Sequence, residues 1–250
     1  MGTSGRRPPK GPALPLSRLL FVLAVLAPIV AAQRPTAAPA SRPSTAVLEL
    51  AVDPTGADAE AAAKAAAAFD AALARRPGVV RTDRIRVDDE TRRFVRATIF
   101  ASREAVEDAA LAADGAPESE ALRAATGEGG STSHFRLLAE AVYRDAPGGH
   151  FEVVVFRTKP GDTRDAHLAR FTAAEADFAK VGKPAGLDAH SLWIAADGRY
   201  VHLLRWKSAA DYERTGKSLM RTSGVGGWIK SLDFRRFVVT RGDVPAAAGR

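Results

Sequence analysis

Between Ala196 and Tyr212 the chain reads ADGRYVHLLRWKSAADY, and the spacing of its apolar positions changes period partway through. Arg199 to Trp206 alternates with the two-residue period of a strand. Ser208 then stands at an N-cap position, and the residues to Met220 have helical character. Asp197-Gly198 is a hairpin signal, because Gly and Asp tolerate the positive φ of a two-residue turn. LDAHSLWIA (187–195) precedes it, so the pattern predicts a β-hairpin followed by a helix. Further upstream, HFEVVVFRTKPG (150–161) predicts a strand stopped by Pro160-Gly161. Leu168, Phe171, Phe178 and Val181 give Asp162–Lys180 one apolar helical face. Ser231–Arg241 predicts a last strand. The order is β-α-β-β-α-β, the split βαβ or ferredoxin-like unit.

The same order occurs earlier in the chain. TAVLELAVDPTG (45–56) matches the first strand and its stop, and the alanine-dense stretch 57–76 matches the first helix. RRPGVV (75–80) lies where GKPAGL (182–187) lies later. RRFVRATIFASREAVED (92–108) matches GRYVHLLRWKSAADYER, with Phe100 at the place of Trp206 and Ser102 at that of Ser208. HFRLLAEAVYR (134–144) matches the last strand, and a Gly/Ser-rich segment precedes each: TGEGGSTS and TSGVGGW. Matching elements at a near-constant spacing read as a tandem repeat.

The first residues follow a different logic. Arg6, Arg7, Lys10 and Arg18 form a basic head, and LLFVLAVLAPIVAA (19–32) is an apolar run of 14 residues. A membrane-spanning helix needs about 20 such residues. The run ends in small residues, so it reads as a signal peptide cleaved near Ala32, with no stable membrane span afterwards. The product would be periplasmic or secreted. The pattern divides the chain into a leader (1–32), a Pro/Ala-rich linker (33–45), a first unit (46–145), a second unit (150–241) and a flexible tail (242–250). Lys and Arg number 36 against 29 Asp and Glu, a net charge of +7. Losing the four basic leader residues leaves +3, with both signs interspersed. That is a mixed solvated surface, and it argues against nucleic acid as partner. Without cysteine there is no disulfide, thiolate nucleophile or zinc-thiolate site.

A strand ending in Pro-Gly, a helix, a Pro-Gly-type turn, then GRYVHLLRWKSAADYE resemble the antibiotic-biosynthesis-monooxygenase (ABM) domain. That family lies in the dimeric α/β-barrel superfamily. The resemblance covers most of Phe151–Val239 and, more weakly, Ala46–Arg144. It implies an α+β fold in which two tandem ferredoxin-like units form an intramolecular dimeric α/β-barrel. A monomeric pseudo-dimer or a weak homo-oligomer follows, because each unit leaves one sheet face apolar and in need of cover. The activity implied is a monooxygenase without metal or flavin, acting on a small aromatic or quinol-like molecule; the residues leave open a non-catalytic small-molecule-binding or structural α/β-barrel protein of the cell envelope. Heme-degrading relatives place an Asn on the first strand, where Val154 and Glu49 stand here, so heme degradation is not implied.

Candidate chemistry centres on the second hairpin. A two-residue turn sets Trp193 opposite His202. Alternation then puts Ser191, Trp193, Tyr200, His202 and Trp206 on one face, and His190 on the other. Two readings stay open. The face is an aromatic pocket for a flat hydrophobic ligand, with His202 as its titratable group, or it is a core cluster in which His202 is inert. Phe94, Arg96, Thr98 and Phe100 occupy the corresponding face of the first unit, which reads as a structural partner without a site. His167 reads as a surface residue on its helix. No metal-ligand spacing is present among the five histidines.

Overall fold

The computed structural model describes residues 45–54, 58–86, 93–127, 130–145 and 149–244. The leader, the linker up to Ser44 and residues 245–250 lie outside the described residues. The first half comprises β1 (Val47–Pro54), α1 (Ala59–Leu73), β2 (Val79–Arg86), β3 (Arg93–Phe100), α2 (Arg103–Ala113), α3 (Pro117–Thr126) and β4 (Ser131–Val142). The second half repeats that order with β5 (Gly149–Phe156), α4 (Arg164–Asp177), β6 (Leu187–Ile194), β7 (Tyr200–Trp206), α5 (Ala209–Met220), α6 (Ser223–Ile229) and β8 (Val238–Val244).

Local chemistry explains the boundaries. The side chains of Asp58, Ser102, Thr163 and Ser208 each accept from a backbone N–H in the first turn of α1, α2, α4 and α5. Gly78 and Gly186 have positive φ (76° and 102°) just before β2 and β6. Their carbonyls accept from Ala101 and Lys207 N–H, both at 2.8 Å. The two halves thus share their turn geometry as well as their element order. The predicted Gly/Ser loop TSGVGGW instead forms most of α6. The last strand starts later than its pattern suggests, after a 3-10 turn at Phe234–Arg236, and runs on to Val244. Arg241-Gly242-Asp243 therefore lies in a ladder with β5 rather than in a tail.

All eight strands form one antiparallel sheet in the order β2-β3-β1-β4-β6-β7-β5-β8. This corrects the expected architecture. The two units do not carry separate sheets, since Arg136–Val142 of β4 pairs with Ala189–Ile194 of β6. The sheet is also not closed into a barrel: among the described residues no ladder joins β2 to β8. The fold is α+β and ferredoxin-like with an open eight-stranded sheet, and the α/β-barrel expectation is set aside. The physical reason lies in the edges. Each four-stranded unit ends in a strand with unpaired N–H and C=O groups, and joining β4 to β6 satisfies one edge of each.

The helix-free face of the sheet carries one apolar cluster drawn from both halves, including Leu48, Ile85, Ile99, Phe151, Trp193 and Leu203. The guanidinium of Arg81 in β2 lies 5.6 Å from the Phe151 ring in β5, so side chains from the two halves meet there. The opposite face is covered by helices. Phe156, Leu192 and Trp206 of the sheet pack with Phe171 of α4, Phe178 just after it and Trp228 of α6, and Phe100 packs with Leu73 of α1 and Val106 of α2.

Candidate functional site

The second hairpin turns through three residues. Ala195 N–H donates to Arg199 at 2.8 Å, and Gly198, with φ 79°, closes the loop. A three-residue loop ending in a left-handed glycine shifts the register by one relative to a two-residue turn. Trp193 therefore faces Val201, and His202 faces Leu192. The five residues expected on one face divide between two. Ser191 and Trp193 lie on the helix-free face, whereas Tyr200, His202 and Trp206 lie under the helices with His190. They do not line a common cavity, and His190 and His202 share a face instead of opposing each other.

Under the helices the second half has a buried aromatic layer. His167, His190 and His202 are all buried, which corrects the surface reading of His167. The His190 and His202 rings are 5.7 Å apart, and Phe178 packs on both, at 4.5 and 5.3 Å. Trp228 of α6 stands edge-on to His202 at 5.0 Å and donates its indole N–H to His167 Nε2 at 3.3 Å. Tyr143 and His190 share a hydrogen bond of 3.2 Å. Burial disfavours the charged imidazolium and pushes His190 down to about 3 and His167 to about 4. His202 is lowered by burial and by the two neighbouring imidazoles. Tyr200 stacks on Phe156 at 5.5 Å, and Trp206 meets Tyr212 at 5.8 Å. This layer is core packing. Among the described residues no group of three or more His, Asp or Glu side chains is arranged to hold a metal ion.

The open space lies on the other face, in a pocket of about 120 Å³. Its second-half wall has Phe151, Ser191, Leu203 and Arg205. Its first-half wall has Arg81, Asp83, Ile99 and Glu140. The first half is therefore part of the site, contrary to its reading as a structural partner alone. Arg81 holds Asp83 through two N–H donors, one of them at 2.9 Å, the other from Nε. Burial raises the Asp83 carboxyl above its ordinary value, with the Arg81 hydrogen bonds and charge opposing that rise. Arg205 is buried and donates to the Arg144 carbonyl, with Asp145 at 3.8 Å. Ser191 Oγ accepts the Trp193 indole N–H at 2.7 Å.

The pocket follows the internal repeat. β2 meets β3 with Val79 opposite Phe100, and β6 meets β7 with Leu187 opposite Trp206. One residue later each ladder shifts register, at Val79/Arg81 and at Leu187/Ala189. Counting on from these equivalent bulges, Arg81 corresponds to Ala189, Asp83 to Ser191 and Ile99 to Arg205. Every one of these residues lines the pocket. A position that would be symmetric between identical halves has become asymmetric by divergence.

Comparisons with known proteins bear on the fold. No family description matches the sequence, and no curated protein matches it. Solved structures do. The fold resembles that of monooxygenase-related proteins. A proposed monooxygenase from Fusobacterium nucleatum has a TM-score of 0.61 at 10% identity, over 81% of this chain and 93% of that one. An anthrone oxidase-like protein has a TM-score of 0.55 at 12% identity, over 82% and 94%. A chlorite dismutase from Candidatus Nitrospira defluvii has a TM-score of 0.55 at 9% identity, over 81% and 92%. These likenesses show the fold alone, and they show one fold carrying differently named activities.

Of the residues expected at the site, only Ser191 lines the pocket, with Trp193 bonded to it. Arg81, Asp83, Glu140 and Arg205 were missed. The pattern offers no face for Asp83: RTDRIR (81–86) has Ile85 as its one apolar residue, and Asp83 reaches the Ser191 position only through the equivalent bulges of β2 and β6.

Proposed function

We propose that this protein takes a small, single-ring aromatic or quinol-like molecule into the sheet-face pocket and oxidises it with O₂, without metal or flavin. The observation that carries the reading is the pocket itself. Its volume of about 120 Å³ is close to that of a cavity, about 150 Å³, known to accept benzene. Ile99, Phe151 and Leu203 supply apolar walls, and Asp83, Ser191, Arg81 and Arg205 supply polar groups for ring substituents. In the chemical step Asp83 would take the proton of a ring hydroxyl. The resulting phenolate is electron-rich enough to reduce O₂: one oxygen atom bonds to a ring carbon and the other leaves as water with the displaced ring hydrogen and a hydroxyl proton, so a quinol becomes a hydroxyquinone and the substrate itself supplies all four electrons. Asp83 suits that role because burial already raises its proton affinity.

A second reading is binding without turnover. It is favoured by the two-point grip of Arg81 on Asp83, which stabilises the carboxylate and weakens it as a base. Screening the purified chain against single-ring quinols by O₂ uptake and thermal shift together separates the two readings. A shift with O₂ uptake supports oxidation, a shift alone supports binding, and neither removes both.

The leader belongs to the same proposal. Cleavage near Ala32 would release an exported protein into the periplasm or medium. N-terminal sequencing should find Gln33, and an intact Met1 on a membrane-bound protein would remove this proposal. Among the described residues no helix is long and apolar enough to cross a membrane. Because two repeated units already share one sheet on one chain, we expect a monomer or a weak homo-oligomer by light scattering.

A further inference from the structure

We infer that Ser191 is the fixed hydrogen-bond donor of the pocket, its hydroxyl aimed by Trp193, and that it recognises an oxygen on the bound ring. The inference rests on the ring-binding reading of the pocket and adds which atom selects the ligand.

The argument begins with what an indole can do. Trp193 is fully buried, and its Nε1–H is a donor with no acceptor capacity. A buried indole N–H needs a partner, and it has one: Ser191 Oγ, at 2.7 Å. A serine hydroxyl both accepts and donates. With the indole hydrogen taking up an oxygen lone pair, the hydroxyl hydrogen is turned away from Trp193. Among the described residues this accepted bond is the one hydrogen bond of the Ser191 side chain. Ser191 is itself buried, and it lines the pocket. Glu140 stands opposite Ser191 in the β4–β6 ladder and also lines the pocket, but no hydrogen bond joins the two side chains, so the O–H is available to a ligand oxygen there.

Why Ser191 and Trp193 cooperate follows from the strand. Residues two apart on β6 point to the same face, so their side chains are neighbours without a turn or a loop to hold them. Trp193 is locked among Leu203, Val201 and Phe135 in the cluster on that face, and a rigid ring makes a rigid donor. The repeat adds the polarity of the site. The position equivalent to Ser191 in the first half is Asp83, an acceptor already claimed by Arg81. One wall thus presents a hydroxyl donor and the other an arginine-held carboxylate. A ring carrying an acceptor oxygen, whether phenol, phenolate or quinone carbonyl, fits the first wall. A bare hydrocarbon ring of the same size leaves the Ser191 hydroxyl unsatisfied.

The test uses p-cresol and p-xylene, which differ by one oxygen, with the full mature chain. Dissociation constants are measured by calorimetry. Wild type should bind p-cresol in preference to p-xylene. Ser191→Ala should weaken p-cresol about five- to tenfold and leave p-xylene unchanged or slightly tighter. Ser191→Thr, which keeps the hydroxyl, should restore the preference. Trp193→Phe removes the indole donor and frees the hydroxyl to rotate. It should weaken p-cresol by a smaller factor with p-xylene unchanged, a selective loss that a general packing defect would not produce. Thermal melts of all four proteins confirm that they fold. A wild-type preference for p-cresol that Ser191→Ala leaves intact overturns the inference while sparing the pocket. Failure of wild type to bind either probe overturns the pocket reading and the inference with it.

Discussion

A single histidine shows how burial decides between the two readings of the hairpin. His202 sits against Phe171, Phe178 and Trp228, away from the pocket. His202→Ala should lower stability by about 1–3 kcal/mol and leave any ligand-induced thermal shift unchanged. Equilibrium denaturation with and without a bound quinol checks both halves of that statement. The same burial sets a pH dependence. In the unfolded chain each histidine takes up its proton near pH 6.5. In the folded chain burial keeps His167 neutral down to about 4 and His190 down to about 3, and His202 is lowered too. Between about pH 6.5 and 4 the unfolded state therefore binds more protons, and stability falls as pH falls. Each histidine contributes a slope of up to about 1.4 kcal/mol per pH unit. Melting temperature should drop across this window, and His202→Ala should show a shallower slope. Asp83 gives the complementary prediction for chemistry. If it is the proton acceptor, Asp83→Asn should cut quinol-dependent O₂ uptake by about a hundredfold or more. Its melting temperature should also fall, since the amide offers Arg81 one acceptor where the carboxylate offers two, so uptake is compared well below the melt. Unaltered O₂ uptake in that variant would remove Asp83 from the mechanism.

At the scale of elements, the repeat is visible in its turns more than in its side chains. Gly78 and Gly186 take the same left-handed conformation before equivalent strands. A Cβ on Gly78 would overlap the Cβ of Ala105 at the start of α2. Gly78→Ala should therefore destabilise the protein by about 2 kcal/mol or more, from strained φ and steric overlap together, read by chemical denaturation. Gly115→Ala is the informative control. Its φ is also positive, at 68°, but nothing lies within 4 Å of an added Cβ, so its cost should be smaller. The two helix-covered faces diverged further. Where the second half has its histidine and aromatic layer, the first has an ion network. There Arg84 binds Asp70 and Asp53, and Arg96 binds Glu49 while lying 4.7 Å over Phe69. The register positions of Arg96 and His202 correspond, so one fold position carries a buried cation in one half and a neutral ring in the other.

For the whole molecule the β4–β6 ladder is the decisive contact, because it merges two units into one sheet. Residues 149–244 expressed alone would expose the β6 edge and the apolar face bearing Phe151, Trp193 and Leu203. That fragment should dimerise or aggregate in size-exclusion chromatography, whereas the full chain should elute as a monomer or a weak homo-oligomer. A monodisperse, folded monomer of the fragment would show that the second half needs no cover from the first.

Much of this protein was legible in its residues, and the boundary of legibility has a physical cause. Period and punctuation fixed the elements: the turn signal ahead of β7, the serine N-caps, the glycines before β2 and β6, and the repeat itself. These are local properties, set by φ, ψ and hydrogen bonds within a few residues. The site was a different matter. Alternation says which residues share a face of one strand, but which face of the next strand they join depends on one residue of turn length, and here Asp197-Gly198 closes a three-residue loop. That slip sent His202 into the core and left Ser191 at the pocket. The pairing of β4 with β6, and the placing of Asp83 and Ser191 on one pocket, are long-range arrangements that no local pattern encodes. Only the tertiary structure decided them, because a strand edge is satisfied by whichever backbone reaches it, whatever side chains that backbone carries.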